Sequence, residues 1–252
     1  MAEWGIDVSK WQGNFDFTVL NPEFVIIKAG GSDDGLYMDS KFLHNYTTAK
    51  NDGIPCGCYW YTKAKSDVLL KEEITYLLKN IKGLQFELPI FLDVEEPILY
   101  NFASTLANIW LNTLPQSGYY PAIYSSWSWW NDTLKSVSCA YDQKWLAFWT
   151  ANKPAYNCGI WQNGHITHDG MEIDSNYMYA DYDFIQKQGL NGFKKKTTFT
   201  DVPATRSDYK AIQYCADKGY IKGYKDGTYR PDEPLTRGQL ATIIYRMEKN
   251  GR

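Results

Sequence analysis

Asp93 and Glu95 stand two residues apart at the end of the apolar run Leu88-Pro89-Ile90-Phe91-Leu92. Such a run reads as a buried strand, and side chains two apart on a strand share a face. The two carboxylates would then lie about 6–7 Å apart along the strand. Carboxylates at the end of a buried strand are costly to desolvate unless they are paired or used. A pair at that separation suits glycosidic bond cleavage, in which one carboxyl protonates the leaving group and the other stabilises positive charge.

The elements that would position the pair follow from patterning. Strands are expected at Gly5–Val8, Val25–Ala29, Cys56–Tyr61, Leu88–Val94, Ala122–Ser125 and Trp145–Trp149. Helices are expected between them, from Ser40 to Asn51, from the N-cap Ser66 to Gly83 and from Asn101 to Asn112. This alternation predicts an α/β fold with a parallel sheet and crossover helices. In barrels of this kind, loops at the carboxyl ends of the strands carry the chemistry. Asp7, Tyr61, Asp93, Glu95 and Tyr124 all fall near such ends. After Ala151 the helical pattern fades into what reads as shorter strands and turns, which argues against a regular eightfold barrel.

The chain has 252 residues and a net charge of −3, which gives no sign of general nucleic-acid binding. No apolar stretch is long enough to span a bilayer, so no membrane partner is expected. Ten Trp and 20 Tyr dominate the composition, many clustered, as in Tyr59-Trp60-Tyr61 and Trp127-Ser128-Trp129-Trp130. Two readings are open for these rings: stacking on sugar C–H faces, or core filling. The five Cys (56, 58, 139, 158, 215) are odd in number and scattered, unlike a secreted disulfide framework. Buried, reduced thiols are expected, as in a protein made in a cytoplasm, and Met1 leads directly into domain sequence without a signal peptide. The three His (44, 165, 168) do not fall at metal-ligand spacing, and neither a metal nor another cofactor is expected.

Residues 1–188 are read as the main domain and 189–198 as a polar, basic linker. Residues 199–252 are read as a small helical module. In the module, Thr236 and Gln239 form a capping box, followed by the apolar stripe Leu240, Ile243, Ile244 and Met247.

Four ordered segments of the first domain resemble the family 25 glycoside hydrolases, the Chalaropsis-type lysozymes. They are Asp7-Val8-Ser9-Lys10-Trp11-Gln12; Gly57-Cys58-Tyr59-Trp60-Tyr61, with Trp60 where the family usually has His; Asp93-Val94-Glu95; and Trp161-Gln162 with Gly170 through Asn176. The module resembles one surface-layer homology (SLH) motif through Phe199-Thr200-Asp201-Val202, Gly219-Tyr220-Ile221-Lys222-Gly223, Asp226 to Pro231 and Leu235-Thr236-Arg237-Gly238-Gln239. The family's usual Thr-Arg-Ala-Glu is Thr-Arg-Gly-Gln here.

The resemblance implies a flattened, irregular TIM-like β/α barrel followed by a small α-helical SLH module. The implied activity is cleavage of the β-1,4 bond between N-acetylmuramic acid and N-acetylglucosamine in bacterial peptidoglycan. Glu95 would be the general acid. Asp93 would either assist the substrate's 2-acetamido group or act directly as nucleophile. Asp7 and Asp174 would complete the catalytic set. Tyr61, Tyr124 and Trp149 are candidate sugar-binding groups. Arg237, with Asp201 and Gly223, would bind a secondary cell-wall polysaccharide. The competing expectation is a non-catalytic protein that only binds wall glycan. The setting expected is an endolysin made in a host cytoplasm and released through a holin pore to act at the wall, or an exported autolysin. Association through the tail as a dimer or trimer is also expected, since SLH domains usually hold three motifs.

Overall fold

The computed structural model describes residues 2–152, 155–194 and 198–250. The chain divides into two compact units, Met1–Lys194 and Lys195–Arg252. Lys195 to Thr197 of the expected linker lie outside the described residues.

The first unit is a closed barrel of eight strands: β1 (Glu3–Val8), β2 (Phe24–Gly31), β4 (Cys56–Tyr61), β5 (Ile90–Asp93), β6 (Pro121–Ser126), β7 (Lys144–Ala147), β8 (Ile160–His168) and β9 (Met171–Met178). A two-residue strand, β3 (Tyr37–Met38), adds to β2. Strands β1 to β8 of the barrel run parallel, and β9 closes it antiparallel to both β8 and β1. Four helices fill the crossovers: α1 (Phe42–Asn51), α2 (Asp67–Ile81), α3 (Ala103–Thr113) and the short α4 (Trp127–Asn131). α5 (Asp183–Gln188) follows β9. The barrel is therefore irregular, with a hairpin in place of its last helical crossover.

Both strand faces are buried, as expected when helices cover a parallel sheet. On β2, Val25 and Ile27 join Leu70, Ile74, Leu106 and Trp110 in the layer between sheet and helices. Phe24 and Ile26 point the other way, into a barrel interior shared with Phe91, Ala122, Trp145, Ile160 and Met178. Each inward row turns polar toward the carboxyl ends of the parallel strands: Ile26 gives way to Lys28, Phe91 to Asp93, Ala122 to Tyr124 and Ile160 to Gln162. The interior is thus an apolar plug with a polar mouth.

α2 begins where its sequence predicts. The Ser66 hydroxyl accepts the Leu69 N–H at 3.3 Å, and Leu70, Ile74, Leu77 and Ile81 are buried. Replacing Ser66 by Ala is expected to cost about 1 kcal/mol of stability, measured by urea denaturation.

Two expected strands are shorter than their apolar runs. β5 ends at Asp93 and β7 at Ala147, so Glu95 and Trp149 lie just beyond strands rather than on them. Pro97 lacks the N–H that a continuing ladder would need. The segment after Ala151 departs in the opposite direction. β8 and β9, at nine and eight residues, are among the longest strands, not short ones. Their polar alternation hides them as strands. Their turn, Asp169-Gly170, has positive φ at both residues (49° and 76°), the geometry that matches strand twist in a two-residue hairpin.

The second unit holds α6 (Tyr209–Asp217) and α7 (Arg237–Asn250) around a small core of Phe199, Val202, Ile212 and Ile221. The Thr236–Gln239 capping box is present, at 2.8 and 3.2 Å. Of the expected α7 stripe, Ile243 packs on this core, while Leu240, Ile244 and Met247 are exposed.

Candidate active site

The mouth of the barrel gathers four carboxylates from three regions of the chain. Asp7 lies directly across from Asp174 on the antiparallel pair β1–β9. Asp93 ends β5, between Tyr61 on β4 and Tyr124 on β6. Glu95 follows two residues later. Its position is fixed by Val94, whose N–H donates to Tyr124 O at 3.0 Å and whose carbonyl accepts the Ser125 hydroxyl at 2.6 Å.

Gln162 ties the groups together. Its amide nitrogen donates to Asp7 Oδ2 at 3.0 Å and to Asp174 Oδ2 at 3.4 Å. Its oxygen accepts from the Tyr124 hydroxyl at 3.0 Å and from Trp149 Nε1 at 3.2 Å. These four bonds use the full capacity of a primary amide, which fixes its orientation. Asn176 donates to the same Asp7 oxygen at 2.8 Å and accepts from Trp145 Nε1 at 2.8 Å. Asp7 is therefore clamped by two amides, and Tyr124 and Trp149 are locked beside it.

Crowded carboxylates in a low-dielectric mouth hold protons more tightly. Burial, then the Asp174 charge, pushes Asp7 up to about 7, against the hydrogen bonds from Asn176 and Gln162. Burial and the Glu95 charge raise Asp93 well above the carboxylate range, opposed by Lys28. Glu95 is exposed as a residue, yet its carboxyl is enclosed enough that burial leads in raising it, again opposed by Lys28. Burial also raises Asp174, and His165 opposes that rise.

Of the four carboxylates, Asp93 holds a buried oxygen without a partner, as Asn45, Asn163 and Gln213 hold unpaired buried atoms elsewhere among the described residues. Asp93 is 4% exposed, and its Oδ1 has no hydrogen-bond partner among the described residues. Buried polar atoms are almost always bonded, so an unpaired one marks a place where a ligand or water belongs.

The other candidate residues have distinct surroundings. The Tyr61 hydroxyl bonds Glu96, and Lys28 Nζ lies 4.5 Å from the Tyr61 ring centre. Trp149 is 56% exposed at the rim, edge-on to His165 at 5.4 Å. Ser9 and Gln12 of the opening motif are structural here. Ser9 caps a 3-10 turn, the Gln12 side-chain oxygen accepts the Ser9 N–H at 2.8 Å, and its amide donates to Glu172 O at 3.1 Å. Sequence reasoning passed over Gln162, Asn176, Lys28 and His165 as site residues. A lone lysine in the buried strand Phe24–Gly31 was the available signal for Lys28, since buried lysines are rare unless engaged.

In the second unit, a groove of about 720 Å³ is lined by Lys222, Gly223, Tyr224, Arg230 and Arg246 among others. Gly223 lines it, whereas Arg237 and Asp201 do not. Arg237 is the exposed first residue of α7. The Asp201 carboxylate accepts the N–H groups of Tyr229 and Arg230 at 2.8 and 2.7 Å, which ties down the Asp226–Pro231 loop.

Comparison with known proteins gives a match in each unit. The model of the glycosyl hydrolases family 25 matches residues 6–169, and that of the S-layer homology domain matches residues 198–241. Lysozyme M1 of Streptomyces globisporus is 28% identical over 199 residues, which span 68% of this chain and 66% of that protein. The outer membrane protein SlpA of Thermus thermophilus is 49% identical over 49 residues, which span 19% of this chain and 5% of that protein. The chain thus covers less than two thirds of either relative's length. Among solved structures, the catalytic domain of endolysin ply40 from bacteriophage P40 of Listeria monocytogenes superposes with a TM-score of 0.63 at 22% identity. That match covers 76% of this chain and 98% of that domain, and it supports the barrel fold.

Proposed function

The chain belongs to glycosyl hydrolase family 25 and carries a C-terminal SLH domain, and from that premise we propose that it is a peptidoglycan hydrolase held at the bacterial wall by its tail. The bond cleaved is the β-1,4 link from N-acetylmuramic acid to N-acetylglucosamine.

The observation that carries this reading is the unpartnered, buried Asp93 Oδ1 beside Glu95 at the barrel mouth. A 2-acetamido N–H on the sugar ring fits that acceptor. Hydrogen bonding to Asp93 increases electron density on the acetamido oxygen, which attacks C1 as the glycosidic bond breaks. Glu95 protonates the departing O4. Burial raises its pKa, which keeps that proton available to higher pH than an ordinary glutamate would. Water then opens the cyclic intermediate, returning a proton to Glu95. Asp7 and Asp174, held by Gln162 and Asn176, supply negative potential on the opposite side of the mouth as positive charge develops at C1.

The tail is proposed to bind an anionic wall polysaccharide. Arg237 at the start of α7, with Lys222 and Arg246 in the groove, offers charge of the right sign, whereas Arg230 in the same lining is paired with Asp226 and Glu233. We propose an endolysin role as well. Cys56 and Cys58 lie fully buried on β4, which suits folding as thiols in a reducing compartment.

Digestion of Gram-positive cell walls followed by mass spectrometry of the released fragments tests the bond assignment. Fragments ending in reducing N-acetylmuramic acid are expected. Reducing N-acetylglucosamine ends would overturn the bond, and wall binding without any fragment release would favour a glycan-binding protein.

A further inference from the structure

Glu95 is followed at once by a second carboxylate, Glu96, which the fold holds from a different side. Tyr61 lies in register with Asp93 on the parallel pair β4–β5, so the two share a face of the sheet. Tyr59, two residues earlier, packs on the barrel interior, which turns Tyr61 toward the mouth. Lys28 Nζ lies 4.5 Å from the centre of the Tyr61 ring and 5.9 Å from that of Tyr59. A cation shared by two rings restrains how they turn.

The Tyr61 hydroxyl donates to Glu96 Oε1, and Lys63 Nζ lies 3.6 Å from the same oxygen. Hydrogen bonds to an ionised carboxylate are the stronger kind. Lys63 is tied down in turn. Its N–H donates to the Ser32 hydroxyl at 2.7 Å, and the N–H of Thr62 before it donates to Asp93 O at 3.3 Å. Beyond Glu96 the chain turns sharply: the Glu96 carbonyl accepts the Leu99 N–H at 2.8 Å, and Leu99 is fully buried. Glu95 therefore stands between two anchors from opposite neighbours of β5. Val94 before it is bonded to Tyr124 and Ser125 of β6. Glu96 after it is bonded to Tyr61 of β4. A proton donor just past a strand end needs such anchors, because proton transfer tolerates little displacement.

We propose that Glu96 is a positioning residue: gripped by Tyr61 and Lys63, it braces the loop that aims the Glu95 carboxyl at the leaving oxygen. The Tyr61 hydroxyl then serves the brace rather than the sugar. The inference rests on the peptidoglycan reading above.

A misplaced acid has a signature that a merely weakened fold lacks. A sugar O4 needs a proton to depart, whereas 4-nitrophenolate leaves as a stable anion. The ratio kcat/KM covers the steps up to that departure. It is measured for full-length Glu96→Ala on two substrates: soluble peptidoglycan glycan strands, and the 4-nitrophenyl β-glycoside of the N-acetylglucosaminyl–N-acetylmuramic acid disaccharide. On the strands it is expected to fall about 10–100-fold, the scale of a displaced reacting group, and on the nitrophenyl glycoside to stay within about 2-fold. Glu96→Gln keeps an acceptor for Tyr61 and should recover much of the loss. Tyr61→Phe should also slow strand cleavage and add little to Glu96→Ala, because the two act through one bond. Equal losses on both substrates, additive losses, or no loss would each overturn the assignment. Amide hydrogen exchange reads the brace without catalysis. Exchange from Glu95 to Tyr100 should quicken in Glu96→Ala and in Tyr61→Phe, while that of α2 stays as in the parent. Unchanged exchange in the loop would overturn the brace. Quickened exchange in a protein whose parent cleaves neither substrate would sink the hydrolase reading and leave the brace standing.

Discussion

Glu95→Gln is expected to lower kcat for reducing-end release from purified peptidoglycan by about 10²–10⁴-fold, the range that a positioned general acid contributes. Glutamine keeps the size and much of the polarity of the side chain but has no carboxylic proton to give the leaving O4. Glu95 lies beyond the strand, at the solvent side of the mouth. The substitution should therefore leave the melting temperature within a few degrees of the parent. It also removes a charge that raises Asp93, which makes the Asp93 carboxylate easier to form. KM should change little, because Asp93, Tyr124 and the aromatic rim remain. With the parent protein, activity should fall as pH rises through the raised pKa of Glu95, since the acid form is then lost. The variant's residual activity should lack that limb. A variant within about 10-fold of the parent's kcat would place the proton donor elsewhere.

What the sequence revealed of this site follows from charge and period. Asp93 and Glu95 were visible because two carboxylates closing an apolar run cannot be buried cheaply. Asp7 and Asp174 were visible only through motif order. The sheet then places them directly opposite each other, an unfavourable like-charge pair that two amides moderate. Those amides were the hardest residues to find. Gln162 and Asn176 carry no charge, and their importance comes from cross-strand register, Gln162 opposite Asn176, which no local pattern encodes. Trp60 illustrates the same limit. Its Nε1 donates to the buried carboxylate of Glu73 at 2.7 Å, joining β4 to α2. In the sequence, Glu73 looks like one more solvated helix residue.

The fold was legible where hydrophobic period and caps agreed, as in β4 and in α2 behind Ser66. It was obscured where one strand face is polar for functional reasons. The inward positions of β8 and β9 near the mouth are Gln162, Asp174 and Asn176, so the chemistry that the barrel positions erases the apolar pattern that would announce the strands. The same polarity has an energetic consequence, which Asp7 exposes most clearly.

Asp7→Asn is expected to stabilise the protein at about pH 8 by about 2–4 kcal/mol while impairing wall digestion. The Asp7 carboxyl rises from an ordinary 3.8 to about 7 on folding, chiefly through burial and the facing Asp174. Below the lower value the group is protonated in both folded and unfolded chains and has no effect. Between the two values the folded chain holds a proton that the unfolded chain has released, so stability falls as pH rises. Above about 7 the cost is complete, about 4 kcal/mol for a shift of this size. Asparagine presents a neutral oxygen to Gln162 and Asn176 and so keeps both hydrogen bonds that now reach Oδ2. It also removes the negative charge that faces Asp174 once Asp7 ionises. Urea denaturation of full-length parent and variant across about pH 4 to 8 should therefore give curves that converge at the acid end and separate toward the alkaline end. A constant offset, or a variant less stable throughout, would show that the Asp7 charge is compensated in the fold. The expected divergence would instead identify it as strain retained for the carboxylate's work on the sugar.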